Sequence, residues 1–145
     1  MTSFAKRLAE LSSYEISVAQ NDEILKSQHI YLCCGRTSVS QNGPSLYFSE
    51  QASQENHFNP DINLLFNSFV AFANEIEILG VILTGIGDDG VDGCKTLSLN
   101  GCVCATQSEE SAIVDGMPSR ARAEVPNVKV GDIEEIAKII REFCS

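Results

Sequence analysis

One apolar run limits the folds that this chain can adopt. Residues 78–84 read Ile-Leu-Gly-Val-Ile-Leu-Thr, with no alternation of polar and apolar positions. A strand that is buried on both faces of a parallel sheet has this pattern, whereas a strand with one face in water alternates. A glycine-rich turn follows at residues 85–90, and a short helix is predicted from Val91 to Leu99. The run therefore predicts the first strand of a β-α-β unit.

The rest of the second half continues this alternation of strands and helices. Strands are predicted over residues 102–106 and 128–130, and an amphipathic helix over 133–143. Residues 109–124 are predicted to form a turn and a helix, interrupted by Gly116-Met117-Pro118. Because strands that alternate with helices form parallel sheets, we predict an α/β fold with a mostly parallel, open, Rossmann-like sheet flanked by helices.

The first half predicts shorter elements. A helix is expected over residues 3–12, and strands near residues 14–18, 30–34 and 46–48. Asn42-Gly43-Pro44 is a strong turn signal, so the last two strands are predicted to form a small β-hairpin. A surface loop is expected over 49–59, followed by a largely buried helix of about four turns that begins near Pro60-Asp61. No linker or repeat interrupts the sequence, so residues 1–145 are expected to form a single domain.

Charge and composition exclude several kinds of partner. Twenty acidic and ten basic residues give a net charge of −10, and nucleic-acid binding is not expected because phosphates require a basic surface. No apolar stretch approaches the roughly 20 residues of a membrane span, and no secretion signal is recognisable. The six cysteines include no C-x-x-C pair, so no metal site is expected. With no secretion signal, the cysteines are expected to be reduced thiols of a cytoplasmic protein.

The glycine turn supports two interpretations. Gly85-Ile86-Gly87-Asp88-Asp89-Gly90 is a G-x-G-x-x-G between a predicted strand and a predicted helix, which is the context of a dinucleotide fingerprint. However, two aspartates occupy the place where a pyrophosphate would bind, and each repels a phosphate by about 1–4 kcal/mol near a surface. We therefore expect no nucleotide and no other cofactor, with nucleotide binding as the alternative.

An acid at this position has a second use. Functional sites of open α/β sheets lie at the carboxyl ends of the strands, where a carboxylate can orient the histidine of a nucleophile–histidine–acid triad. Alternatively, Asp88 and Asp89 cap the next helix, which stabilises it by about 1 kcal/mol. Spacing alone leaves both possibilities open.

Four blocks of sequence resemble the CheB methylesterase family, in the family's order. They are Ser3-Phe4-Ala5-Lys6-Arg7-Leu8; Phe58-Asn59-Pro60-Asp61-Ile62-Asn63-Leu64-Leu65-Phe66; the stretch from Gly80 through Thr84-Gly85-Ile86-Gly87-Asp88-Asp89-Gly90 to Gly93; and Ala105-Thr106-Gln107 with Glu110-Ser111 and Gly116-Met117-Pro118.

This resemblance implies an activity and a set of site residues. The implied activity is hydrolysis of glutamate methyl esters, with deamidation of glutamine as a further possibility, on methyl-accepting chemoreceptors through a Ser-His-Asp triad. Asp89 stands at the position of the triad acid, and Ile86 stands where the family usually has methionine. The residues implied to line the site are Thr84, Gly85, Ile86, Gly87, Gly90, Gly116, Met117 and Pro118.

Two departures from the family pattern concern the catalytic groups. Neither the G-x-S-T-G-G turn of the family serine nor the Q-H-M segment of its histidine occurs in this sequence. His29 and His57 match neither position, and Cys34 is a conceivable nucleophile only at a position that is structural in the family. Ser38, Ser40 and Ser111 lack a nucleophile-elbow context. We therefore expect no activity from this chain alone, and a non-catalytic receptor-binding module is the alternative.

The resemblance also implies missing parts of the fold. The chain is expected to lack the first two strands of the family fold and the receiver domain that usually precedes the esterase. An unpaired apolar strand edge invites association. We therefore expect the chain to self-associate through that edge.

Overall fold

The computed structural model describes residues 2–52 and 60–145. The chain divides into two compact units, Met1–Leu65 and Phe66–Ser145, with the boundary inside one helix. The expectation of one domain remains a prediction.

The first unit contains two pairs of strands. Helix α1 (Thr2–Leu11) precedes strand β1 (Glu15–Val18), which runs parallel to β2 (His29–Leu32). Strand β3 (Arg36–Asn42) pairs antiparallel with β4 (Ser45–Gln51). The second pair carries the buried side chains Val39 and Phe48, which lie opposite each other in the two strands.

The predicted hairpin exists, but one of its strands was assigned wrongly. The strand predicted at residues 30–34 is β2, and it pairs with β1 rather than with β4. The turn at Gly43 and Pro44 instead joins β4 to β3, because Asn42 lies opposite Ser45 and two residues close the connection. Gly43 has a φ of +62°, which glycine adopts without strain. Strand β3 was not predicted because all its residues except Val39 are polar, so it shows no alternation of polar and apolar positions.

Helix α2 (Ile62–Phe69) begins where proline and aspartate predicted a helix start. The Asp61 carboxylate accepts a hydrogen bond from the Leu64 N–H at 2.9 Å, which satisfies a free donor of the first turn. A 3-10 turn, Val70–Phe72, ends the segment. No residue of α2 is fully buried, so the predicted largely buried helix is half-buried. The start of the predicted surface loop belongs to strand β4. Residues 53–59, which include His57, lie outside the described residues.

The second unit is a three-stranded parallel sheet with helices. Strands β5 (Leu79–Ile82), β6 (Val103–Gln107) and β7 (Lys129–Gly131) lie in that order. Between and after them come α3 (Val91–Leu99), α4 (Gly116–Glu124) and α5 (Ile133–Cys144). The α/β class and the parallel pairing are thus confirmed. The core consists of Ile82, Val91, Cys94, Leu97, Cys104, Ala121 and Val125.

The Gly116-Met117-Pro118 segment does not interrupt a helix, as the sequence had suggested; it begins α4. Proline is tolerated there because the first turn of a helix has free N–H groups in any case. Within the part of the chain that the structure describes, no helix is both long and apolar enough to cross a membrane.

Candidate active site

The loop between β5 and α3 carries the candidate acid. We call residues 83–90 the acid loop. Gly87 and Gly90 adopt φ values of +82° and +90°, which only glycine reaches at little cost, so the loop turns sharply at both places. Gly90 occupies the N-cap position of α3. Within this turn the Asp89 side chain is buried, with 8% of its surface exposed, whereas Asp88 is exposed. The two adjacent carboxylates therefore occupy different environments.

The acid loop is bonded to the segment that leads into α4. The Gly85 N–H donates to the Val114 carbonyl oxygen at 3.0 Å, and the Met117 N–H donates to the Gly85 carbonyl oxygen at 2.9 Å. The Thr84 hydroxyl lies 2.7 Å from the Val114 nitrogen, whose N–H it accepts, and 3.1 Å from the Val114 carbonyl oxygen, to which it donates. These four hydrogen bonds join positions about 30 residues apart and fix the entrance of the acid loop.

A buried glutamine adds to these hydrogen bonds, and we call the whole set the clamp. Gln107 ends β6 with only 2% of its surface exposed. Its Oε1 accepts a hydrogen bond from the Thr84 N–H at 2.6 Å, and its Nε2 donates to the Ser111 carbonyl oxygen at 3.2 Å. Because a buried amide group must have partners, Gln107 holds both loops at fixed distances from the end of the sheet.

An ion pair fixes the segment that leads into α4. The Arg122 guanidinium donates to both carboxylate oxygens of Asp115, with Nη1 2.8 Å from Oδ1, and Nη1 also donates to the Gln107 carbonyl oxygen at 2.9 Å. This fork geometry is the strong form of an arginine–carboxylate pair. The hydrogen bond from Arg122 lowers the pKa of Asp115 below its ordinary value and raises that of Arg122.

Two glycines allow the loops to approach this closely. A Cβ atom at Gly116 would lie 2.8 Å from the Gly85 carbonyl oxygen, 3.0 Å from the Gly87 nitrogen and 3.3 Å from the Ile86 Cα. A Cβ atom at Gly85 would lie 2.5 Å from the Met117 sulfur. The backbone contacts at Gly116 leave no room for a side chain.

The structure brings most of the residues expected at the site to one edge of the sheet. Thr84, Gly85 and Met117 take part in the clamp, Gly116 lies close against the acid loop, and Gly87 and Gly90 shape the turn around Asp89. The Ile86 side chain is 87% exposed. Pro118 is fully buried in the first turn of α4.

Sequence reasoning did not assign roles to Gln107, Val114, Asp115 and Arg122. A polar residue that ends an apolar strand, as Gln107 does, is a signal that could have indicated a buried hydrogen-bonding role. Asp115 and Arg122 are seven residues apart, about two helical turns, which places them on one side of α4. Val114 acts through its backbone, and no side-chain pattern reveals that.

The residues considered and set aside as catalytic groups lie elsewhere. His29 is in β2, where its Nε2 lies 2.7 Å from the Ser17 hydroxyl and its Nδ1 lies 3.6 Å from a Glu15 carboxylate oxygen. Cys34 is half-buried after β2, and the Ser111 hydroxyl is bonded within its own turn. Within the described residues, no group of three or more histidine, cysteine or acidic side chains could hold a metal ion.

Comparisons with known proteins agree with this architecture. Residues 1–140 match the family model for CheB methylesterase. The protein-glutamate methylesterase/protein-glutamine glutaminase of Photorhabdus laumondii subsp. laumondii is 31% identical over 142 residues, which cover 96% of this chain and 39% of the relative. A second relative with that activity, from Chromobacterium violaceum, is 34% identical over 92% of this chain and 36% of its own length. The chain thus spans about two-fifths of the length of these relatives.

A solved structure shows the same fold. The Thermotoga maritima CheB methylesterase catalytic domain superposes with a TM-score of 0.87 at 21% identity, covering 97% of this chain and 76% of that domain. The family model covers nearly the whole chain, and the relatives exceed 30% identity. The chain therefore belongs to the CheB methylesterase family.

Proposed function

We propose that this chain forms part of a protein-glutamate methylesterase and glutaminase, in which Asp89 is the acid of a Ser-His-Asp triad. The observation that carries the proposal is the burial of Asp89 on a clamped loop at the carboxyl end of a parallel strand. A triad acid orients its histidine and stabilises the imidazolium that forms, so it must be ionised, held still and largely removed from water. Asp88, on the same loop, is exposed and does not meet this requirement.

The proposed reaction is an acyl transfer in two steps. A serine hydroxyl attacks the ester carbonyl carbon of a receptor glutamate while the histidine takes the serine proton. The histidine then gives that proton to the departing methanol, and water releases the acyl group from the serine by the same route in reverse. Deamidation of glutamine follows this scheme with ammonia as the leaving group. Asp89 stays ionised throughout and holds the histidine in the productive tautomer.

The serine and the histidine are proposed to come from residues outside these 145. The sequence contains no G-x-S-T-G-G and no Q-H-M, and the chain spans about two-fifths of its curated relatives. Such an enzyme would act in the cytoplasm on methyl-accepting chemoreceptors. The six cysteines are free in the structure, which fits a reducing compartment.

The test begins with the genomic DNA upstream of the Met1 codon. The full reading frame is then expressed, and methanol release from methylated receptors is measured for the natural protein, Asp89→Asn and Asp92→Asn. Asp92 is a nearby exposed carboxylate in the first turn of α3 and is the matched control. We expect Asp89→Asn to lower kcat by up to about 10⁴-fold, as the same change does to a serine protease triad, while Asp92→Asn stays close to the natural protein.

Two outcomes would contradict the proposal. A loss of less than about tenfold for Asp89→Asn would show that it is not the triad acid. A reading frame with neither a serine turn nor a histidine segment, and a product that binds receptors without hydrolysing them, would favour the non-catalytic binding module.

A further inference from the structure

The large apolar side chains with the highest exposure lie beside the candidate acid. Ile113 is 92% exposed and Ile86 is 87% exposed, the two highest values among the large apolar side chains of the described residues. Leu83 and Val114 are also exposed. Because the Thr84 and Val114 hydrogen bonds join the two loops directly, these four side chains come from segments in contact. We call Leu83, Ile86, Ile113 and Val114 the apolar rim.

Single exposed apolar residues are ordinary on protein surfaces, whereas apolar patches that polar residues surround are typical of interaction sites. An added Cβ at Gly116 would lie only 3.3 Å from the Ile86 Cα, so the Ile86 backbone is packed closely against the start of α4. The Thr84–Val114 hydrogen bonds hold the two loops that carry the rim against each other. A partner that covers the rim would gain apolar burial without ordering a flexible loop.

The charges around the rim are acidic. Asp88, Glu109 and Glu110 are exposed on the same two loops. The neighbouring Arg120 and Arg122 are bonded to Glu124 and Asp115. The pKa of Arg120 is raised by the Glu124 hydrogen bond and also by Asp88, and that of Arg122 by Asp115 and also by Glu109 and Glu110. With both arginines engaged, the edge keeps an excess of negative charge and favours a partner with basic groups.

From this arrangement we propose that the apolar rim is the docking surface for the protein substrate. The substrate segment that carries the esterified glutamate would contribute apolar side chains against Ile86 and Ile113 and basic side chains opposite Asp88, Glu109 and Glu110. This inference rests on the proposed function and adds the chemistry of substrate recognition. The methyl ester itself is uncharged, so these contacts, rather than its charge, select the protein substrate.

The experiment compares a protein substrate with a small one. In the full reading frame, Ile113→Ser is measured against methylated receptor and against a small glutamate γ-methyl ester, with Leu99→Ser as the matched control. Leu99 is equally apolar, exposed and at the far end of α3. Ile113→Ser should lower the receptor to small-ester ratio of kcat/KM by about tenfold, because burying an isoleucine is worth about 1.5–3 kcal/mol and 1.4 kcal/mol is tenfold. Leu99→Ser should leave the ratio unchanged.

The charge part of the inference has its own measurement. Glu109→Gln with Glu110→Gln should raise KM for the receptor, and the difference from the natural protein should shrink at about 1 M salt, where the screening length falls to about 3 Å. If the variant and the natural protein have the same KM for the receptor at every salt concentration, the assignment of a basic partner is overturned.

The remaining outcomes separate failure of this inference from failure of the proposed function. If Ile113→Ser lowers the unfolding temperature and both activities equally, the rim is covered by another part of the natural protein, and the inference is wrong. An unchanged ratio with unchanged stability also overturns it. If the natural protein hydrolyses neither substrate, the proposed function itself fails.

Discussion

Gly116→Ala tests whether the two loops are held together as tightly as the structure shows. The added methyl group would lie 2.8 Å from the Gly85 carbonyl oxygen and 3.0 Å from the Gly87 nitrogen. Both neighbours are backbone atoms of the acid loop, so the loop must shift. Overpacking of this kind costs about 1–3 kcal/mol.

The higher helix propensity of alanine offsets part of this overpacking cost. Gly116 is the first residue of α4 and has no left-handed φ, and alanine in a helix is favoured over glycine by up to about 1 kcal/mol. Because the neighbours are backbone atoms, the upper part of the overpacking range, about 2–3 kcal/mol, applies, and subtracting about 1 kcal/mol leaves a net loss of unfolding free energy of about 1–2 kcal/mol. For a chain of this size that corresponds to a fall in Tm of roughly 2–8 °C.

The assay is thermal and urea unfolding of the 145-residue chain, followed by circular dichroism. Two variants serve as comparisons. Ser119→Ala changes an exposed position of α4 and should leave Tm nearly unchanged. In Gly85→Ala the only neighbour under 3.0 Å would be the Met117 sulfur, which belongs to a flexible side chain, so the variant should cost less than Gly116→Ala because methionine can adapt. A Gly116→Ala chain as stable as the natural one, or more stable, would refute the close approach of the loops.

The acid dependence, the thiol reactivity and the association of the chain each allow a further test. Hydrogen bonding to Arg122 lowers the pKa of Asp115, so the ionised carboxylate contributes to stability above its unfolded pKa of about 3.9, and this contribution is lost as pH falls through the lower folded pKa. Asp115→Asn should remove that part of the decrease in Tm at low pH. The same decrease in the variant and the natural chain would contradict this. Burial raises the pKa of Cys33 to about 11, so iodoacetamide at pH 8 should modify the exposed Cys144 well before Cys33, as peptide mass spectrometry would show; equal rates would speak against this. Strand β5 is an edge of its three-stranded sheet, and light scattering should show self-association of the 145-residue chain; a stable monomer at high concentration would exclude it.

The second half of the fold could be predicted from the sequence because its elements carry strong local signals. The continuous apolar run became β5, the glycine turn became the acid loop, and Asn100-Gly101 ended α3 as expected. Helix α5 followed its apolar periodicity, and the cap formed by Asp132 and Glu135 fixed its start. Each of these features depends on residues that are close together in the chain.

The features that were missed depend on contacts between distant residues. The hairpin partner of β4 was assigned wrongly because β3 is polar at every position except Val39 and carries no apolar pattern. The clamp joins Gln107 to Thr84 and Thr84 to Val114, across 23 and 30 residues. Hydrogen bonds of that range depend on the completed tertiary fold, and periodicity within a short window cannot indicate them. Asp89, Thr84 and Met117 were expected at this edge of the sheet, while Gln107 and Val114, to which Thr84 is bonded, were not.

The close contact between Gly85 and Gly116 also has a consequence for how sequences of this family can vary. Since a methyl group at Gly116 already forces the backbone of the acid loop to shift, a larger residue there requires a rearrangement of residues 85–87. Substitutions at these positions should therefore be accepted in pairs rather than singly. An alignment of many family sequences should show correlated changes between the acid loop and the start of α4, and the same pairing should appear in a library randomised at both loops and selected for folding.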